Sequence, residues 1–166
     1  MNPLHVRTTA RTSLVGALMV ACLSTALTAD DKPRTVKFAA KDTGGKSILV
    51  PQADRPTLLL FLRVDQDQSG VVVAEVKRAL TGLPDVQTLV LLCGKQPDAA
   101  TSRKFLDTVP WPVVLDPKYD LVGKLEVRVW PSCVLAMSDG TELARLTGLP
   151  KAYVSDLGAY LDFAPK

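Results

Sequence analysis

An unbroken apolar run from Leu58 to Leu62 is the feature that most constrains the fold of this chain. Pro56 stands just before the run, and a polar segment from Asp65 to Ser69 follows it. A run this short, apolar on both faces, is typical of a strand buried on both sides of a sheet. Because ligands of such sheets bind outside the carboxyl ends of the strands, we expect the function to lie at the loop formed by residues 65–69.

The residues after this loop predict a βαβ unit. Helical spacing begins straight after Gly70, and a second buried strand follows at Val86–Leu92. Short loops join the three elements, so the two strands should be parallel, with a right-handed crossover. The other predicted elements are a hairpin at 35–39 and 47–50, a helix at 98–106, an extended piece at 111–115, a helical turn or two at 119–125, a hairpin at 132–137 and 141–146, and an amphipathic helix at 152–161.

Residues 1–29 have the pattern of a secretory signal peptide: basic residues, then an apolar stretch from Leu14 to Leu23, then small residues. Cleavage after Ala26 or after Ala29 fits the pattern, and the apolar stretch is short for a membrane span. We therefore predict an exported chain, periplasmic or secreted, with a single domain at 30–166.

Cys22 raises the alternative that the exported chain is a lipid-anchored lipoprotein. The residues Met19-Val20-Ala21-Cys22 form a poor lipoprotein box, in which Met19 stands where leucine is usual. Lipidation at Cys22 would anchor the protein to a membrane. We expect contact with a membrane only in that case.

Composition excludes several classes of function. The net charge is only +3, and two basic residues belong to the leader, so no basic block remains for nucleic acid. The single histidine, His5, also lies in the leader. The predicted domain can therefore hold neither a Ser-His or Cys-His catalytic pair nor a histidine-bearing metal site. We predict no cofactor and no metal.

The order of elements resembles the thioredoxin-like fold in its secreted TlpA-type or redoxin form. Four segments carry the likeness: KDTGGKSILV, RPTLLLFLRV, WPVVLDPKYDLVGKL and VRVWPSCVLAMSDGTELARLTG. The resemblance covers nearly all of residues 35–163. It implies a three-layer α/β/α sandwich, with a mixed central sheet and an N-terminal β-hairpin extension. It also implies a cis proline at Pro131, facing the redox motif and a groove that accepts extended peptides.

The chain departs from this family at the redox motif itself. The Cys-x-x-Cys pair of the family would fall on Gln66 and Ser69, which here gives Gln-Asp-Gln-Ser. Thiol–disulfide exchange needs one thiolate to attack and a second thiol to resolve. Neither glutamine nor a serine without a base supplies that chemistry.

Two cysteines remain in the predicted domain, Cys93 and Cys133. They are candidate displaced redox or peroxidatic thiols, and the alternative is that both are small buried core residues. In the implied topology their strands flank the central strand, roughly 9–10 Å apart. Because a disulfide needs Cα atoms within about 7 Å, we predict no bond between them.

Asp65 to Gly70 also resembles the start of an EF-hand calcium loop, with carboxylates at positions 1 and 3 and glycine at position 6. The closing glutamate should stand at Val76, but Glu75 comes one place early. The alternative is a polar loop in which Asp67 or Ser69 caps the following helix.

Three functional hypotheses follow. The first is a binding or interaction module for an extended peptide or partner protein. Its groove would be formed by Asp65, Asp67, Trp130, Pro131 and Ser132, with Trp111 as a further candidate wall. The second is a thiol-dependent oxidoreductase, either a disulfide-exchange or a peroxiredoxin-like enzyme, that uses Cys133 or Cys93. The third and weakest is a calcium-binding module through the Asp65–Gly70 loop.

Overall fold

The computed structural model of the chain describes residues 33–81, 86–96 and 98–148. The predicted signal peptide with Cys22 and the predicted helix at 152–161 lie outside the described residues. None of the helices that the structure describes has the length and hydropathy of a membrane-spanning segment.

The expected N-terminal hairpin is present, with its first strand shifted along the sequence. Strands β1 (Phe38–Lys41) and β2 (Ser47–Val50) pair antiparallel in a sheet of their own. The first strand was predicted at 35–39. Thr35 instead forms an isolated bridge to Thr141, because the chain there runs along the turn that follows residue 136.

A five-stranded mixed sheet forms the centre of the fold, in the order β5-β4-β3-β6-β7. Strand β3 is parallel to β4, as the βαβ unit predicts, and antiparallel to β6, so the sheet is mixed, as the resemblance implied. The elements after the first hairpin are β3 (Thr57–Leu62), α1 (Asp67–Ala79), β4 (Gln87–Cys93), α2 (Ala99–Leu106), β5 (Val113–Asp116), α3 (Asp120–Lys124), β6 (Ser132–Ala136) and β7 (Glu142–Thr147).

Strand β3 is fully buried, and its alternating residues supply two separate cores. Leu59 and Phe61 pack with the hairpin and α3 on one face, whereas Leu58, Leu60 and Leu62 pack with α1 and α2 on the other. The expected three-layer arrangement with an N-terminal hairpin is therefore confirmed. Burial on both faces explains why the run shows no polar alternation.

Helix α1 begins earlier than the valine pattern indicated. It starts at Asp67, so Asp67 to Gly70 form its first turn and not a loop. Gln66 is the N-cap and makes no side-chain capping bond, so the prediction that Asp67 or Ser69 caps the helix is wrong. The β-branched residues Val72 and Val73 are tolerated in the helix because both are buried against the sheet.

Candidate functional site

The carboxyl end of β3 turns into α1 through four residues, Arg63 to Gln66. We call this turn, together with the first turn of α1, the β3–α1 corner (residues 63–70). Gln66 has extended backbone angles at the N-cap, with φ −118° and ψ 119°. Ser69 lies in the first helical turn and is completely buried. The two positions matched by the resemblance to a redox pair therefore stand at the start of one helix, three residues apart.

Ser69 ties the start of the helix to the end of the strand. Its hydroxyl donates to the carbonyl oxygen of Arg63 at 2.6 Å and accepts from the Arg63 N–H at 3.2 Å. The N–H of Ser69 in turn donates to the Gln66 carbonyl at 3.0 Å. Because its hydroxyl both donates to and accepts from the backbone of Arg63, Ser69 stabilises this corner.

A ladder of side chains extends from the corner across the end of the sheet. The Arg63 guanidinium pairs with Asp65, at 2.9 Å from Nε and 2.5 Å from Nη2, and lies 6.0 Å from the ring centre of Trp130. The Trp130 ring meets Tyr119 edge to face, with 5.7 Å between ring centres. The hydrogen bond from Arg63 lowers the pKa of the Asp65 carboxyl below its usual value. The corner therefore presents a neutral ion pair beside two aromatic rings.

The Trp130–Pro131 peptide bond is cis, as the resemblance implied. Pro131 precedes β6, whose first residue, Ser132, pairs with Phe61 near the carboxyl end of β3. Pro131 and Ser132 are buried, and the Ser132 hydroxyl donates to the Val129 carbonyl at 2.6 Å. Trp130 remains partly exposed and is the member of this segment that can meet a ligand.

Two buried polar atoms at this end of the sheet find no hydrogen-bond partner within the described residues: Oε1 of Gln66 and Nε1 of Trp130. Buried polar groups in folded proteins nearly always have a hydrogen-bond partner, so a buried polar atom without one needs an explanation. The Gln66 oxygen is an acceptor, and the Trp130 indole N–H is a donor that lies close enough to the Cys93 sulfur to lower the pKa of that thiol. Both belong to residues that sequence analysis placed at the site.

Cys93 ends β4 next to this corner and is only 2% exposed. Its thiol donates to the Leu91 carbonyl at 3.3 Å. Burial raises the pKa of the thiol to about 12. A hydrogen bond from the Trp130 indole acts against this rise, and the charge of Asp116 adds to it. A thiol with so high a pKa is protonated at neutral pH and is a poor nucleophile.

Cys133 lies on the other face of the sheet. It is 1% exposed in β6 and packs with α1 and α2, whereas Cys93 packs with α3 and the hairpin. Strands β4 and β6 flank β3, as expected, so the sulfurs are separated both across the sheet and through it. The prediction that Cys93 and Cys133 form no disulfide is confirmed.

Trp111 does not belong to this site, contrary to prediction. It precedes β5, which runs parallel to β3, so it lies at the amino ends of these strands, beside Pro112 and Gln87. Trp130 precedes β6, which runs antiparallel to β3, and therefore lies at the carboxyl end of β3. The direction of the two strands separates the two tryptophans.

The geometry of the corner also rules against the calcium hypothesis. An EF-hand loop holds its first six residues in an open turn around the ion. Here Asp67 to Gly70 are helical, and the Asp65 carboxylate pairs with Arg63. Among the described residues, no group of three or more carboxylate, thiol or imidazole side chains is placed to hold a metal.

Sequence reasoning overlooked three residues at this end of the sheet: Arg63, Tyr119 and Asp116. Asp116 is buried and accepts the N–H groups of Asp120 and Val122 at 2.8 and 3.0 Å, which fixes the start of α3. Tyr119, at the N-cap of α3, has a left-handed φ of 62°. The one signal that the sequence offered was the position of Arg63, a basic residue directly after the central strand.

No family model and no curated protein matches this chain. Solved structures do match. A protein from Chlorobium tepidum described as thiol:disulfide interchange protein DsbE has 18% identity and a TM-score of 0.67, covering 78% of this chain and 94% of its own. StoA from Bacillus subtilis has 16% identity and a TM-score of 0.63, covering 78% and 98%.

A secreted disulfide oxidoreductase of Mycobacterium tuberculosis, homologous to DsbE of E. coli, is also similar. It has 16% identity and a TM-score of 0.61, covering 75% of this chain and 94% of its own. At such identities the likeness establishes a shared fold and leaves activity open. The fold is thioredoxin-like, as the sequence resemblance implied.

Proposed function

We propose that this thioredoxin-fold chain is an exported binding or interaction module whose fold has lost dithiol chemistry. The observation that carries the proposal is the β3–α1 corner. Gln66 and Ser69 stand there at the start of the helix, and the serine hydroxyl is engaged twice by the Arg63 backbone. No thiol stands within the corner itself.

The two cysteines of the described chain support the same reading. Both are buried in strands, on opposite faces of the sheet, so one cannot resolve a disulfide formed on the other. The raised pKa of Cys93 argues further against a thiolate at neutral pH. A thiol-dependent oxidoreductase that uses Cys93 or Cys133 would need the strands to open first.

Features that suit binding lie around Trp130. The Gln66 side-chain carbonyl is buried without a hydrogen-bond partner among the described residues. Val129 and Tyr119, beside Trp130, expose 46% and 36% of their surfaces. The Trp130 peptide N–H and C=O make no backbone hydrogen bond within the described residues, which leaves both groups for an extended partner segment.

The export of the chain is part of this proposal. Residues 1–29 supply the signal-peptide pattern, and one of the similar structures is a secreted protein. Because binding through an extended partner needs no cofactor, the proposal invokes none.

Thiol titration separates the binding module from the enzyme. A thiol-specific reagent at neutral pH should leave Cys93 and Cys133 unmodified in the folded protein and modify both after unfolding in guanidinium. Rapid modification of either thiol in the folded protein, with peroxide turnover that Cys133→Ser or Cys93→Ser abolishes, would favour the enzyme.

Binding itself is tested with a displayed library of random extended peptides. Selected peptides should lose affinity in Trp130→Ala and keep it in Trp111→Ala, the matched control at the other end of the strands. Circular dichroism checks that both variants fold. Peptides that bind both variants equally well would place recognition away from the corner.

A further inference from the structure

A cavity of about 740 Å³ opens at the end of the sheet opposite the β3–α1 corner. It lies between strand β2, the segment that joins β2 to β3, and the start of β4. This volume falls within the range of small-molecule sites, which is about 300–1,000 Å³. Nothing in the proposed function uses it.

One part of the cavity wall is apolar and offers flat surfaces. Trp111 and Pro112 face the cavity from the start of β5, and Pro51 and Leu49 from the end of β2. Leu49 exposes 65% of its surface, which is unusual for a large apolar side chain within a strand. Aromatic and proline rings favour a planar apolar body packed against them.

The polar part of the wall offers hydrogen-bond donors. The buried Thr57 hydroxyl donates to Oε1 of Gln87 at 2.8 Å, which fixes the orientation of the amide so that its NH₂ group remains for another acceptor.

The charge of the wall favours an anion. Arg55 is paired with Asp54 at 3.2 Å, so these two residues balance one another. Lys46 also faces the cavity and forms no ion pair with the described residues. The Asp42 carboxylate next to it accepts backbone N–H groups of Gly44 and Lys46. Lys46 is therefore the cationic side chain of this wall that has no carboxylate partner among the described residues.

From these observations we infer that the cavity is a second binding site, for a small amphipathic carboxylate with a planar apolar body. The body packs between Trp111 and the prolines, and the carboxylate accepts from Lys46 and from the Gln87 amide. This site lies at the amino ends of β3 and β4, so it is independent of binding at the β3–α1 corner.

The probes that test this site are 1-naphthoate and its uncharged analogue 1-naphthalenemethanol. The chain has two tryptophans, so Trp130→Phe leaves Trp111 as the only indole reporter. Both probes should change Trp111 fluorescence saturably and shift the NMR signal of the Gln87 side-chain amide. Naphthoate should bind tighter by about two- to fivefold, the scale of a solvent-accessible ion pair.

Lys46→Gln should abolish the preference for naphthoate, whereas Lys77→Gln on the exposed side of α1 should leave it unchanged. Both lysines are exposed, so both variants should fold. Absence of saturable binding at millimolar probe overturns the site. Equal affinity for the two probes, or a preference that survives Lys46→Gln, overturns the assignment of a carboxylate ligand. Peptide binding at Trp130 bears on neither outcome.

Discussion

The hydroxyl of Ser69 bridges the backbone of Arg63, donating to its carbonyl oxygen at 2.6 Å and accepting from its N–H at 3.2 Å. These two hydrogen bonds join Arg63, the residue that follows β3, to the first turn of α1. At the corner where the sequence resemblance places a thiol pair, this chain has a serine that joins the strand to the helix.

Ser69→Ala should destabilise the protein by about 1–3 kcal/mol, because it leaves the Arg63 N–H near the buried end of β3 without its acceptor. The free energy of unfolding in urea measures the effect. Gln68→Ala, one residue away and exposed, is the matched control and should stay within about 0.5 kcal/mol of the wild type. Similar values for the two variants would mean that the Ser69 bonds contribute nothing to stability.

Gly94→Ala should also destabilise, by about 1–3 kcal/mol. Gly94 has a φ of +79°, and an added Cβ would overlap the hydroxyl of Tyr119, which packs on Trp130. Gly123→Ala in α3 is the control: its Cβ meets open space, and alanine favours the helix by roughly 0.5–1 kcal/mol. Relative to the wild type, the melting temperature should fall in Gly94→Ala and rise in Gly123→Ala. A melt of Gly94→Ala equal to the wild type would show that Tyr119 is not held at this position.

The buried Cys93 thiol makes stability depend on alkaline pH. Burial raises its pKa from 9.0 to about 12, so the unfolded chain releases the proton first as the pH rises. The contribution of this thiol to the free energy of unfolding is therefore fully present below pH 9. It is lost between pH 9 and about 12, at up to about 1.4 kcal/mol per pH unit. Urea unfolding between pH 8 and 10.5 measures the slope.

Cys93→Ala isolates that contribution, because lysine and tyrosine titrate in the same range. The variant should be less stable at neutral pH, since it leaves a small cavity, but its stability should fall less steeply above pH 9. Identical slopes in the two proteins would mean that the thiol ionises as readily in the fold as in the unfolded chain.

Arg63→Gln should return the pKa of the Asp65 carboxyl to near its usual value of 3.8, because the Arg63 hydrogen bond is the main cause of its lowering. An NMR titration of the side-chain carboxyl measures this directly. In the wild type the lowered pKa makes the pair stabilising above pH 3.8, and that contribution is lost as the pH falls through the lower folded-state value. An unchanged pKa in Arg63→Gln would show that the ion pair is not formed in solution.

Sequence reasoning succeeded where the physics is local or follows from strand order. The apolar run Leu58–Leu62 predicted a strand buried on both faces, and the resemblance implied a strand order with β3 between β4 and β6. That order alone was enough to separate Cys93 from Cys133. It did not reveal that the two sulfurs also lie on opposite faces, which depends on where each residue falls in the alternation of its strand.

The errors arose where tertiary contacts override local preference. The valines after Gly70 suggested a late start for α1, but the helix begins at Asp67 because Ser69 is drawn to the end of β3. Trp111 was grouped with Trp130 although the strands that follow them run in opposite directions, which strand polarity alone could have excluded. The contact between Tyr119 and Trp130 depends on how the chain turns between α3 and β6, and it left no signal in the sequence.

The central proposal is that Gln66 and Ser69 stand where the resemblance places the redox pair and that the chain performs no dithiol exchange, and dithiothreitol-coupled insulin reduction tests it most directly. The wild type should not accelerate the reaction, whereas Gln66→Cys/Ser69→Cys should form a disulfide at the helix start and accelerate it. Acceleration by the wild type that disappears in Cys93→Ser or Cys133→Ser would contradict the account. So would a double variant whose two new cysteines fail to form a disulfide.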